Sequence, residues 1–142
     1  MSASGTRFAI DVPVMRVLLD THVWIWHLTS NARLSSAHRR ILRNPAVDIW
    51  LSAISIWEAH LLIENKRLRV NLSPDAWIRQ ALQALSVHEA PITFRIATLS
   101  RQMGLLHNDP ADRFIAATSA SMEIPLLTAD ESLIACPGIV CR

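Results

Sequence analysis

The sequence predicts an α/β fold, a three-layer sandwich in which a mostly parallel sheet lies between helices. Three observations lead there. Short apolar runs alternate with amphipathic stretches along most of the chain, the pattern of strand–helix units whose strands are buried on both faces. Hydrophobic residues make up 51% of the 142 and charged residues 18%, proportions of a folded chain with a real core and the length of one domain. Four acids, Asp20, Glu58, Asp112 and Asp130, each stand where an apolar run gives way to a helix.

Residues 1–14 carry no helical or strand period and contain Gly5 and Pro13. They read as a loose tail, or as lying upstream of a natural start at Met15, and the second reading is favoured. The domain is then 15–142. Val17–Asp20 reads as a buried strand, followed at once by the helix THVWIWHL with Thr21 as its N-cap. SSAHRRILR is helical, with His38, Arg39, Arg40 and Arg43 facing water and Ile41 and Leu42 facing in. Asp48–Ser52 is a second strand. A helix then runs from Ser55 to about Asn65, and another starts at Ser73-Pro74 with Trp77, Ile78, Ala81, Leu82 and Leu85 on one face.

Val87–Ile92 holds a short strand, and 93–103 a helix ended by Gly104. Asp109 and Pro110 open a helix carrying Ala111, Phe114, Ile115, Thr118 and Met122 on one face. Pro125–Leu127 is a strand, ESLIA a short helix capped by Asp130, and Gly138–Cys141 a last strand.

Composition narrows the function classes. No apolar stretch reaches the roughly 20 residues of a spanning helix, and the first residues lack the form of a secretory signal. A cytoplasmic protein without a membrane partner is the expectation. Cys136 and Cys141 have neither zinc-ligand nor disulfide-framework spacing, so both read as inert thiols. Formal charge is +2, and 13 of the 14 basic residues are Arg, with Lys66 the one lysine. Arg suits bidentate phosphate contacts, although Arg-favouring codon usage explains the bias as well.

Each acid taken alone has a structural explanation. Ser55-Ile-Trp-Glu58 fits a capping box, Asp109 suits an N-cap, Asp112 falls in a first turn, and Asp130 caps its own short helix. The joint pattern says more. In an open parallel sheet, ligands bind beyond the carboxyl ends of the strands, and carboxylates gathered there attract hard divalent cations.

DTHVWIWHL, SAISIWEAHLLIENKRL, HNDPADRFIAATSA and LLTADESL together resemble the PIN domain of bacterial VapC-type toxins, from Met15 to about Ile134. In that family an Asp ends the first strand, here Asp20, and a Glu lies early in the helix after the second strand, here Glu58. An Asp opens the DxxIAAT helix, here Asp112, and another follows the fourth strand in T-x-D, here Asp130. The resemblance implies a magnesium- or manganese-dependent endoribonuclease, homodimeric and silenced by a small antitoxin encoded nearby.

The residue types suit that chemistry. Carboxylate-held Mg²⁺ or Mn²⁺, one ion or two, neutralises the phosphodiester, lowers the pKa of bound water and stabilises the leaving oxygen. Asp20 and Asp112 are the first metal ligands expected, with Glu58 and Asp130 completing the set directly or through water. Thr21 and Thr128 flank these acids and are placed to bond carboxylates or water. Asp109 caps its helix and assists through water. Arg113 either meets phosphate or, the favoured reading, makes a structural salt bridge. His22 and His107 are left outside the site, and the five tryptophans are read mainly as core or partner packing. Trp24, Trp26, Trp57 and Leu61 are taken together as a groove for an amphipathic helix of the partner.

Two rivals remain on the residues. Phosphatases and receiver domains with Asp at strand ends also place a lysine late in the fold, and none follows Lys66 here. A noncatalytic RNA-binding module on the same fold is the other; loss of an acid would signal it, and all four are present. One expectation concerns the leading segment alone. A chain starting at Met15 keeps its melting temperature and its RNA cleavage rate, and a large loss of either assigns residues 1–14 a packing role.

Overall fold

The computed structural model describes residues 15–105 and 108–142, so the expectations for 1–14 and His107 lie outside the described residues. In chain order the elements are β1 (Met15–Leu19), α1 (Thr21–Leu28), α2 (Ser36–Arg43), β2 (Val47–Ser52), α3 (Ala53–Glu64) and α4 (Pro74–Ala84). They continue with β3 (His88–Ala90), α5 (Phe94–Ser100), α6 (Pro110–Met122), β4 (Leu126–Leu127) and α7 (Glu131–Ile134). The strands form one four-stranded sheet in the order β3-β2-β1-β4, and every pair is parallel.

The period of two along β1 builds both layers at once. Val17 and Leu19 join one core with Val23, Trp24, Leu42, Ile49, Leu51, Ile78 and Leu127. Leu18, between them, joins the other with Ile96, Ala111, Ile115, Leu126 and Leu133. Helices α1, α2 and α4 therefore cover one face and α5, α6 and α7 the other, which is the expected α/β sandwich. Trp24 is wholly buried and meets Trp77 edge-on, with ring centroids 5.8 Å apart.

Several local expectations are corrected. Asp20, not Thr21, occupies the N-cap position of α1, and its side chain makes no cap bond because it is engaged elsewhere. Helix α3 starts at Ala53, capped by the Ser52 hydroxyl accepting from the Ile54 amide. The Ser55–Glu58 capping box is therefore absent, and Glu58 stands in the second turn, clear of the helix end. His38 is buried rather than exposed, its Nε2 bonded to the Arg142 carbonyl, which gives the ring the polar partner that burial requires.

Leu82 is 42% exposed, because α4 packs chiefly on α3 and buries a narrower stripe than the pattern offered. Helix α5 stops at Ser100, where the Arg113 guanidinium takes the carbonyls of Ser100 and Met103 at 3.2 Å each. Residues 138–141 form no strand and pair with the sheet only through a Leu126–Cys141 bridge. Trp24 is core and so drops out of the supposed partner groove, whereas Trp57 is 47% exposed.

The Trp24 indole N–H is buried without a hydrogen-bond partner, so its contribution is packing alone. Trp24→Ala is expected to destabilise by about 3–5 kcal/mol in urea titrations. Trp24→Phe, which removes the unpaired donor along with part of the ring, should cost clearly less. Equal losses would show that the N–H has a partner after all.

Candidate active site

The sheet order creates a switch point between β1 and β4. From β1 the chain proceeds outward through β2 and β3, and it returns to β1's other side with β4. In open parallel sheets a switch point of this kind is where ligands bind, beyond the carboxyl ends of the strands. Asp20 directly follows β1, and Thr128 directly follows β4. The two strands are tied there by the Asp20 amide donating to the Leu127 carbonyl at 3.0 Å.

Asp20 is 3% exposed. Its Oδ2 accepts from the Thr128 hydroxyl at 2.7 Å, while its buried Oδ1 has no hydrogen-bond partner. The same Thr128 oxygen accepts from the Asp130 amide at 3.0 Å, so one hydroxyl orders both the Asp20 carboxylate and the turn that carries Asp130. On the neighbouring side Thr21 and Ser55, both fully buried, share a hydroxyl–hydroxyl bond of 2.8 Å that locks α1 onto α3. Ser55 was not expected at the site. Its signal in the sequence, a Ser one helical turn before Glu58, is too common to single out.

Asp112 is repelled by each of the other three acids of the sequence pattern. Burial raises the pKa of Asp20, with Thr128 offsetting part of the rise and Asp130 adding to it. Burial also raises Glu58, against the pull of the Thr21 hydroxyl and His22, while Asp109 and Asp20 push it further up. Asp112 is pushed up to about 8, first by burial and then by Asp20, Asp109, Asp130 and Glu58 together. His22, which the sequence reading left out, thus sits close enough to favour the charged forms of both Asp20 and Glu58.

The weaker candidates separate. Asp109 caps α6, its Oδ1 accepting from the Ala111 and Asp112 amides at 2.9 and 3.3 Å. Asp130 caps α7, its Oδ1 accepting from the Ser132 amide and hydroxyl at 2.8 and 2.7 Å. Arg113 makes no salt bridge among the described residues; besides the two carbonyls at the end of α5 it donates to Asn108 Oδ1 at 3.0 Å. Its fork therefore pins the approach to α6.

Among the described residues, no group of three or more His, Cys, Asp or Glu side chains is assembled as a ready metal site. The donor set nevertheless fits a hard divalent cation. Its members are carboxylates, the Asp20 Oδ1 and Glu58 Oε1 atoms are buried without partners, and a dication would reverse each repulsion that raises Asp112.

The PIN domain family matches residues 17–138. The chain belongs to the PIN domain family. Among its relatives is Ribonuclease VapC22 of Mycobacterium tuberculosis, 31% identical over 118 residues that cover 82% of this chain and 88% of that protein. Among solved structures, VapBC2 from Rickettsia felis bound to a DNA fragment from its promoter aligns over 90% of this chain and 98% of that one, with TM-score 0.66 and 12% identity. A toxin–antitoxin complex from Klebsiella pneumoniae aligns over 87% and 95%, with TM-score 0.57 and 23% identity. These two share the fold of this PIN domain.

The raised Asp112 has a consequence for stability. Its folded pKa lies above its unfolded one, so the folded state is favoured at low pH and loses ground as pH rises from about 4 to about 8. In EDTA, Asp112→Asn is expected to match the wild-type melting temperature near pH 4. By pH 8 it should exceed it by at least about 1 kcal/mol, or roughly 2–4 °C for a chain of this size. An advantage independent of pH would show that Asp112 is not raised.

Proposed function

We propose that this PIN domain is a metal-dependent endoribonuclease toxin, active in the cytoplasm and neutralised by a small antitoxin. The observation that carries the reading is the convergence on Asp112 of repulsion from Asp20, Asp109, Asp130 and Glu58, with Asp20 and Asp112 themselves buried. Such an arrangement costs stability in the folded protein, and a bound cation removes the cost. Kinship with a protein named a ribonuclease supports RNA as the substrate.

Asp20 and Asp112 would hold Mg²⁺ or Mn²⁺, with Glu58 and Asp130 completing the set directly or through water. The cation, when bound, supplies charge neutralisation at the scissile phosphate and activation of the attacking water. The chain's own residues do the positioning. Thr128 fixes Asp20 through Oδ2 and leaves Oδ1 for the ligand. The Thr21–Ser55 pair holds the helix that carries Glu58 against the end of β1. Asp109 holds the first turn of α6, and with it Asp112, by capping two amides.

The antitoxin reading is supported by the toxin–antitoxin complex among the similar structures and by apolar surface on α1 and α3 at the half-buried Trp26 and Leu61 and the exposed Trp57. An amphipathic partner helix would cover that surface, and an Arg from the partner would neutralise the carboxylates in place of metal. A homodimer belongs to the same proposal; Phe94, 95% exposed at the start of α5 and near the exposed Ile92, is surface that a second copy would cover.

Purified protein is expected to cleave total RNA with Mg²⁺ or Mn²⁺ and to stop in EDTA. Asp20→Ala and Asp112→Asn should lose more than the roughly 10–100-fold typical of removing an outer hydrogen-bond partner. Asp109→Asn should be mild, since Asn caps about as well as Asp. Mn²⁺ affinity and cleavage of the three variants check this. Cleavage that persists in EDTA overturns the metal mechanism, and an inactive Asp109→Asn beside an active Asp112→Asn reverses the two roles. RNA binding with no cleavage under any metal would instead favour a noncatalytic module.

A further inference from the structure

At the amino ends of the strands, three arginines of α2 gather beside two open clefts. Helix α1 leaves the carboxyl end of β1 and, at about 1.5 Å per residue, ends roughly 12 Å away. Helix α2 leads through the Asn44 turn into the amino end of β2, with the Val47 amide donating to the Asn44 carbonyl at 3.1 Å. Because all strands are parallel, the last turns of α1 and α2 lie by the strands' amino ends, away from the acids.

Two adjoining open clefts meet there, of about 530 and 390 Å³. Arg39 and Arg43 line both, and Arg40 lines the larger with Ser36 and Asn44. The ion pairs among the described residues are His60–Asp75 and His88–Asp48, so none of these three guanidiniums is paired with a carboxylate there. His27 lines the smaller cleft beside Arg39 and Arg43, and its pKa is lowered by burial and then by those two charges. Arg39 is held in place by Nη2 donating to the Leu34 carbonyl at 3.2 Å.

We propose that the Arg39–Arg40–Arg43 cleft is a docking site for the phosphate backbone of RNA, remote from the acids at the other edge of the sheet. The choice of RNA rests on the ribonuclease reading. Arg40 and Arg43 in the last turn of α2 do complement the helix dipole, but that role accounts neither for Arg39 nor for the cleft the three surround. Arg39 and Arg43 are one turn apart, with Cβ atoms about 5–6 Å from each other, and so present two forks side by side to a ligand that repeats its phosphates.

The larger cleft is lined by Ser, Arg and Asn alone, a polar, cationic lining that suits a ligand of repeated negative charge. The affinity of a backbone contact comes from phosphate neutralisation and counterion release. An RNA engaged at both edges gains affinity from the second contact without any change in the chemistry at the first.

The test separates this site from the ribonuclease reading by measuring binding in EDTA, where RNA is not cut, and cleavage in Mn²⁺. The probe is a labelled single-stranded RNA long enough to span both edges; the variant is Arg40→Gln/Arg43→Gln in the full chain. Loss of two contacts should weaken binding roughly tenfold and lower the slope of log Kd against log salt by about 1.4, since each phosphate on a single strand contributes about 0.7. The cleavage of a short oligonucleotide that reaches only the acids should stay at its wild-type rate, while KM for the long RNA rises; a small fall in melting temperature reflects only the lost helix-dipole contacts.

Unchanged affinity and slope overturn the proposal, whatever the cleavage result. So does a variant that keeps RNA binding but loses a poly-glutamate probe, which would assign the cleft to an acidic protein. If wild-type protein cuts nothing in Mn²⁺ yet the variant loses RNA affinity, the docking site stands and the nuclease reading falls.

Discussion

The bond from the Thr128 hydroxyl to Asp20 Oδ2 joins residues 108 positions apart, and the candidate site is arranged around it. It depends on β4 lying beside β1, which is secured by the Leu18 amide on the Pro125 carbonyl at 2.9 Å and the Asp20 amide on the Leu127 carbonyl at 3.0 Å. A buried carboxylate needs donors to remain tolerable. Thr128 meets that need on Oδ2. The same hydroxyl accepts from the Asp130 amide, so moving β4 would displace two of the four acids together.

Stability and chemistry pull against each other at this edge. The two cores follow ordinary rules, with Leu18, Leu126 and Ile115 on one face and Val17, Leu19 and Trp24 on the other, all wholly buried. The acids do not. Burial raises Asp20, Glu58 and Asp112, and each is raised further by its neighbours. A fold selected for stability alone would not gather them, and binding sites are where such cost is tolerated. Helix capping absorbs part of it: Asp109 and Asp130 have backbone amides as partners and need less from a ligand.

The acids of the candidate site and the α2 arginines stand at opposite ends of the strands. The parallel sheet sends every strand's carboxyl end to one edge, where the acids collect, and every helix that returns from it to the other. Arg39, Arg40 and Arg43 arrive at that second edge because α2 ends just before β2 begins. A formal net charge of +2 conceals this, since a sum over the chain has no direction.

The alternation of apolar runs and amphipathic stretches determined the fold class, the order of elements and the acids, because these follow from local period and from residue type. Ser73 before Pro74 and Asp109 before Pro110 marked their helix starts correctly, since a cap is a contact between near neighbours. Tertiary structure decided what depended on distant partners. Ser52 rather than Ser55 caps α3, because β2 runs directly into the helix and leaves Glu58 a turn further on. His38 turned inward because the Arg142 carbonyl was there to meet it, and Trp24 left the supposed partner groove because Trp77 packs against it. Arg113 found carbonyls at the end of α5 instead of a carboxylate. Local pattern sets which face a side chain can present, whereas the hydrogen bonds and packing that fix its role come from segments the folded chain alone brings within reach.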